Sequence, residues 1–198
     1  MIRSMTAGMS LALLLASPAL ANPTAFSGSY ENSNPPAALD GRCAPAARTV
    51  TFGPGIGIAA GISSLGSFVP SGSHCIVPPL PTSYNQGQFS FDFGGGDSFV
   101  GSYSGTLSAT GAPNVFDNVQ NFVVTGGTGR FIDASGAFTG IGTVTFQAGQ
   151  LPYSSQQLSG TLNLPAVPEP ATWATLMLGL GGLGAAARLK RRRAGLSV

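Results

Sequence analysis

Charged residues are scarce in this chain of 198 residues. They make up 8% of it, about a third of their share in globular domains. So low a charge excludes a highly charged disordered tail. The chain has one histidine and two cysteines, too few side chains for a histidine-rich metal site. The length predicts one folded unit and excludes a large multidomain protein.

Positive charge is scarce in the body of the chain. Residues 22–166 contain no lysine, and their six carboxylates against three arginines give a net charge of −3. Five of the nine cations lie in residues 188–193, and another is Arg3, so the formal net charge of +2 belongs to the two ends. Nucleic-acid binding by the body is excluded, because phosphate contacts need clustered cations.

The first 21 residues have the pattern of a signal peptide. Arg3 precedes an apolar run over 9–16, and Pro18 is followed by the small-residue triplet Ala19-Leu20-Ala21. The run is too short for a comfortable bilayer crossing. We therefore predict an N-terminal signal helix that signal peptidase removes by cleaving after Ala21.

The C-terminal end predicts a membrane helix. Val167-Pro168-Glu169-Pro170 is followed by seventeen uncharged residues, 171–187, which as a helix would reach roughly 26 Å. A basic cluster comes next and should stay cytoplasmic, giving a single transmembrane helix with N-out, C-in topology. The cluster consists of Arg188, Lys190, Arg191, Arg192 and Arg193.

These three parts, in this order over 167–193, resemble the PEP-CTERM sorting signal of bacterial exported proteins. The resemblance implies recognition of Pro168, Glu169 and Pro170 by an exosortase, a membrane cysteine transpeptidase or protease. It also implies cleavage near the motif and release of the body to the cell surface or an exopolysaccharide matrix. The triplet would then be a tag for another enzyme rather than an active site.

Alternation of apolar and polar residues dominates the body and predicts an all-β fold, an antiparallel barrel with a sandwich as the alternative. We expect an antiparallel β core over 87–166, and one or two strands in the Pro- and Gly-rich half 22–86. An N-terminal arm over 22–48 and a long loop over 66–86 are expected, and 53–65 is a buried strand or a mobile apolar loop. The individual strands are expected around Phe89–Phe93, Phe99–Leu107 and Leu158–Leu164, and at Arg48–Phe52, Phe122–Thr125, Gly136–Gly142 and Thr143–Gln147.

Cys43 and Cys75 are the only cysteines, and in an exported chain they predict a disulfide. Pairing of a reactive Cys75 thiol with its neighbour His74 is disfavoured, because adjacent residues of an extended chain point to opposite faces. His74 also lacks companions for a metal site. We expect His74 to be a solvent-exposed loop residue.

The segment Gly126-Gly127-Thr128-Gly129-Arg130-Phe131, with Ala134 and Gly136 after it, resembles the GGTG-x-F hairpin of dirigent and allene oxide cyclase-like β-barrels. The resemblance implies an eight-stranded barrel with a pocket at one mouth. The residues that would line or fill this pocket are Tyr103, Phe122, Phe138 and Phe146. No catalytic residue is carried over from the matched turn.

Residues with other catalytic or binding chemistry are few, and we predict no catalytic residue, metal or cofactor. Asp92 and Asp97 flank an expected hairpin, but two carboxylates are too few for calcium. A glycosidase pair would need two of Asp92, Asp97, Asp117 and Asp133 at a set separation. Arg130 and Asp133 are expected to form a hairpin ion pair.

Three hypotheses for the function follow. The first is a non-enzymatic structural or adhesive component of the cell surface or exopolysaccharide matrix. The second is a barrel that binds a small hydrophobic or saccharide ligand. The third, an enzyme, would require these carboxylates to gather in a cleft.

Overall fold

The computed structural model describes residues 22–35, 41–43, 48–76, 83–165 and 177–182. Short 3-10 turns lie at Gly41–Cys43 and Gly129–Phe131. The strands of these residues are β1 (Asn22–Ser33), β2 (Arg48–Phe52), β3 (Ala59–Ser63), β4 (Gly66–Ile76), β5 (Ser83–Asp92), β6 (Ser98–Ala109), β7 (Val115–Thr128), β8 (Ser135–Thr145) and β9 (Tyr153–Leu164).

Eight of the strands close an antiparallel barrel, which confirms the barrel rather than the sandwich. Their order around the wall is β4, β3, β1, β9, β8, β7, β6 and β5, and β5 pairs with β4 to complete the circle. β2 is an additional strand that pairs with 72–76 of β4, beyond the end of the β3 pairing at Phe68. β1 and β9 pair along their whole length, from Asn22 with Leu164 to Ser33 with Tyr153.

One end of the barrel, the closed end, is filled by aromatic side chains. Phe91, Phe99 and Phe122 are at most 1% exposed, and the Phe122 and Phe138 rings stack with centroids 4.5 Å apart. Full burial of such a side chain stabilises the fold by roughly 1.5–3 kcal/mol. The 3-10 turn at Gly129–Phe131 covers this end, with the Phe131 ring 5.5 Å from that of Phe99.

Glycines at inward positions make room for these rings. A Cβ at Gly101 would lie 2.8 Å from the Phe89 ring, and one at Gly61 would overlap the Phe68 ring. The pairing of glycine with a neighbouring aromatic residue recurs around the wall and lets an eight-stranded barrel hold so many rings.

The expected strands of the β core are confirmed, but the expectations for residues 22–86 are wrong in two places. The arm at 22–48 contains β1, and the loop at 66–86 contains β4 and the start of β5. Of the two alternatives for 53–65, the strand is confirmed, since this segment contains β3, whose residues alternate between half-buried and exposed. This half therefore has four complete strands instead of one or two. The two strands expected at 136–142 and 143–147 are one, β8.

Pro70 accounts for the error at β4. A proline inside a strand normally indicates a loop or an edge, because it has no N–H to donate. Pro70 pairs with Phe91 of β5, but on its other side it lies between the end of the β3 pairing at Phe68 and the start of the β2 pairing at Gly72. On that side neither β3 nor β2 pairs with Pro70, so its missing N–H costs no hydrogen bond to either strand.

Candidate functional site

A cavity of about 160 Å³ opens at the end of the barrel opposite the Phe131 turn, which we call the mouth. It lies where β1, β4, β6 and β8 end and β5, β7 and β9 begin. Its apolar lining includes Val50, Phe52, Ile76, Leu107, Val144 and Phe146. Its polar lining consists of Tyr30, Asn32, Asn34, His74, Tyr84, Asn118, Gln120 and Ser154.

The polar lining forms a hydrogen-bonded network of tyrosines and carboxamides. The Tyr30 hydroxyl donates to Gln120 Oε1 over 2.5 Å, and the Tyr84 hydroxyl donates to Asn118 Oδ1 over 2.8 Å. The Gln120 side chain also hydrogen-bonds Tyr84 and so connects the two pairs. Each member is held by the next, which fixes the side chains around the cavity.

Burial keeps the tyrosines of this network protonated. Desolvation raises the pKa of Tyr30 and of Tyr103 well above the ordinary value for tyrosine, and raises the pKa of Tyr84 as well. Three hydroxyl groups are therefore neutral donors at any physiological pH. They have no tendency to act as phenolate bases.

Inward glycines place two of these tyrosines. A Cβ at Gly105 would overlap the Tyr84 ring, and one at Gly87 would overlap the Tyr103 ring. The absent side chains let each ring lie flat across the neighbouring strand. Tyr84 thereby reaches Asn118, two strands away on β7.

The expectation that His74 is an exposed loop residue is wrong. His74 lies on β4 with its ring against the cavity, where Nδ1 is 2.7 Å from the Tyr103 hydroxyl. Alternation along the strand sends His74 inward and Cys75 outward. Burial, reinforced by the Arg42 guanidinium, lowers the pKa of His74 to about 4, so the imidazole is neutral at pH 7.

A disulfide joins Cys43 to Cys75, as the sequence predicts. The bond holds the turn Gly41–Cys43 against the outside of β4. Arg42 of this turn donates to the Gln86 carbonyl of β5, and to the Ser73 carbonyl over 3.1 Å. The turn therefore fastens β4 to β5 directly behind His74.

The aromatic residues predicted for the pocket divide between filling and lining. Tyr103, Phe122 and Phe138 are buried in the barrel core, whereas Phe146 lines the cavity. Asn118 and Gln120 were missed by the sequence reasoning. The sequence pattern that could have found them is their two-residue spacing with Phe122 and Val124 on one strand, which places all four side chains on the inner face.

The carboxylates do not gather at the cavity. Asp117 is exposed on the outer face of β7, while Asp92, Asp97 and Asp133 lie toward the closed end. The expected Arg130–Asp133 ion pair is wrong: Arg130 Nε lies 3.1 Å from Asp97 Oδ2, and its backbone N–H donates to Asp97 Oδ1. The 3-10 turn directs Arg130 to the β5–β6 hairpin. Within the described ranges, no three His, Cys, Asp or Glu side chains come together as metal ligands.

Comparison with known families identifies the C-terminal end. Residues 166–193 match the model of the PEP-CTERM protein-sorting motif. The chain carries a PEP-CTERM sorting motif. It is therefore an exported protein that passes through the membrane and is processed by an exosortase. Neither a curated protein nor a solved structure matches the chain.

The PEP-CTERM triplet itself, Pro168, Glu169 and Pro170, lies outside the described residues. So do the basic cluster 188–193, the signal peptide 1–21 and its cleavage residues Ala19 and Ala21. Within the motif, 177–182 is helical, with Met177, Leu178 and Leu180 exposed. Among the residues described, no helix is both long and apolar enough to span a bilayer.

Proposed function

We propose that the mature protein is a non-enzymatic binding module of the cell surface or extracellular matrix, holding a small uncharged ligand in the barrel mouth. The observation that supports this most is the cavity itself. A ring of neutral hydroxyl, amide and imidazole groups surrounds a space next to an otherwise filled barrel. A few convergent polar groups in an apolar hollow are typical of ligand sites.

The chemistry of the lining favours binding over catalysis. Its tyrosines stay protonated and its histidine stays neutral, while the carboxylates lie elsewhere. A general acid or base works best with a pKa near the operating pH. The titratable groups that line the cavity have pKa values far from that range.

Native mass spectrometry of the protein isolated from producing cells tests this function. We expect a noncovalent adduct on the wild type that is lost in Val144→Phe, whose added ring would occupy the cavity. The matched control is Ile141→Phe on the same strand, where the side chain is 61% exposed on the outer face. An adduct that survives Val144→Phe, or none on the wild type, would contradict the proposal.

The location is tested by fractionation. We expect surface or matrix fractions to contain protein trimmed at the sorting motif, following an N-out, C-in membrane intermediate. Deleting the exosortase should leave the untrimmed chain in the inner membrane. Full-length protein that is unchanged by the deletion and never surface-exposed would exclude this route.

A structural or adhesive role in the exopolysaccharide matrix is the second candidate, and the outer wall of the barrel favours it. Outward positions carry neutral hydroxyl and amide groups, which suit hydrated polysaccharide without charge. Examples are Ser102, Ser104 and Thr106 on β6, and Gln157, Ser159 and Thr161 on β9. Cosedimentation with the producer's polysaccharide should then be the same for Val144→Phe and for the wild type. A loss in Val144→Phe alone would assign binding to the mouth instead.

A further inference from the structure

Two of the carboxamides that line the mouth have their oxygens engaged by tyrosines. Asn118 Oδ1 accepts from Tyr84, and Gln120 Oε1 accepts from Tyr30. Each hydroxyl has one proton to give, so these tyrosines have none left for a ligand. An amide nitrogen carries two N–H groups, and Gln120 shares its side chain with Tyr84 as well. The N–H groups of Asn118 therefore remain available to a ligand.

Two further oxygens that line the cavity each accept one hydrogen bond. Ser154 Oγ accepts from Gln156 Nε2 over 3.1 Å, and Asn34 Oδ1 accepts from Asn32 Nδ2 over 2.9 Å. Gln156 Oε1 has no partner among the described residues, but it is fully buried and does not face the open space. Hydroxyl and amide oxygens keep a further lone pair, so the lining offers acceptors as well as donors.

His74 adds one more donor. The buried Tyr103 hydroxyl needs an acceptor for its proton, and His74 Nδ1 at 2.7 Å is the one that it contacts. A neutral imidazole that accepts at Nδ1 carries its hydrogen on Nε2. This places an N–H on the ring that lines the cavity.

Charge and size narrow the ligand further. No Asp, Glu, Lys or Arg of the described residues lines the cavity, and the Arg42 guanidinium is engaged by Gln86 and Ser73 behind the wall. An ionised group would lose its hydration there without a partner of opposite charge. A dry cavity of roughly 150 Å³ holds one benzene ring. The volume of about 160 Å³ therefore admits a single six-membered ring.

From this polarity and size we propose that the mouth binds a neutral ligand no larger than one six-membered ring, whose carbonyl or ether oxygen accepts from the Asn118 amide. This specifies the ligand class and rests on the proposed binding function. A saccharide is disfavoured, because its ring carries several hydroxyl groups and exceeds a cavity that holds one bare ring. A ring without oxygen is disfavoured because it leaves the amide N–H groups unpaired.

Titration followed by NMR tests the ligand class on the mature protein. Four probes are compared. Cyclohexanone carries one acceptor oxygen, methyl glucoside adds hydroxyl donors, cyclohexane has neither, and cyclohexanecarboxylate is charged. We expect cyclohexanone to bind most tightly and to shift the side-chain N–H signals of Asn118. Asn118→Leu should weaken its binding by about tenfold, the loss of one hydrogen bond to a buried group. The control Asn121→Leu, exposed on the same strand, should not change it.

The results distinguish an error in the ligand class from an error in the proposed binding function. Tighter binding of methyl glucoside or of the carboxylate at the same signals would overturn the ligand class and leave the binding function standing. Equal binding of cyclohexane and cyclohexanone would also overturn the class. If no probe shifts a cavity signal and the cell-derived protein carries no adduct, both proposals fail. Should Asn118→Leu not fold, the order of the four probes on the wild type still decides.

Discussion

Substitution of Gly105 by alanine should destabilise the barrel through Tyr84. The added Cβ would overlap the Tyr84 ring and its hydroxyl, so the ring must leave its place or the strands must separate. Overpacking of a core costs about 1–3 kcal/mol, and loss of the Tyr84–Asn118 hydrogen bond about 1 kcal/mol more. We expect the free energy of unfolding to fall by about 2–4 kcal/mol. Urea denaturation of the disulfide-intact protein measures it.

Two further variants show whether the cause is the one given. Gly126→Ala on β7, where a Cβ would meet nothing within 4 Å, should leave stability unchanged or raise it by about 0.5 kcal/mol. In a Tyr84→Leu background the shorter side chain leaves space, so Gly105→Ala should lose most of its effect. A full penalty in that background, or a loss below about 0.5 kcal/mol in the wild type, would refute the reasoning.

Three other predictions concern stability. Replacing Cys43 and Cys75 together by serine should lower the free energy of unfolding by roughly 3–4 kcal/mol, because the bond closes a loop with a sequence separation of 32. Equal denaturation midpoints with and without the bond would contradict this. The pKa of His74 is lowered from 6.5 to about 4, so the unfolded chain takes up a proton at this histidine before the folded chain does. The free energy of unfolding should therefore fall by up to about 3 kcal/mol as the pH drops from 6.5 to 4. NMR titration of this single histidine checks the value, and a midpoint near 6.5 would refute it. Gln156→Leu should change the free energy of unfolding by less than about 1 kcal/mol although the residue is fully buried, because it removes an acceptor without a partner in the described residues. Calorimetric unfolding measures this change. A loss above about 2 kcal/mol would show that the amide contributes more.

The strands that could be predicted are those whose inner face carries large apolar side chains. Phe89 and Phe91 on β5, and Phe122 and Val124 on β7, alternate with polar residues and give a clear period of two. β1 follows the same period, but Gly28 lies inward between Phe26 and Tyr30, and the outward side chains are small. A glycine at an inner position removes the contrast on which the pattern depends.

The cavity residues were harder to predict, because their inner positions are polar. Asn118 and Gln120 continue the inner face of β7, yet carboxamides on a strand usually indicate its wet side. They are buried only because Tyr84 and Tyr30 come from other strands to hydrogen-bond them. Such partners, 34 and 90 residues away along the chain, follow from the closure of the barrel and not from local pattern.

The full-length pairing of β1 with β9 brings the first and last strands of the barrel into register from end to end. Asn22 and Leu164 are partners at the closed end, so the chain enters and leaves the barrel at the same pole. The sorting motif at 166–193 follows directly from that pole. Leu164, two residues before the motif, lies about 35 Å of strand away from the mouth end of β9. The segment that exosortase processes therefore joins the barrel at the end remote from the cavity.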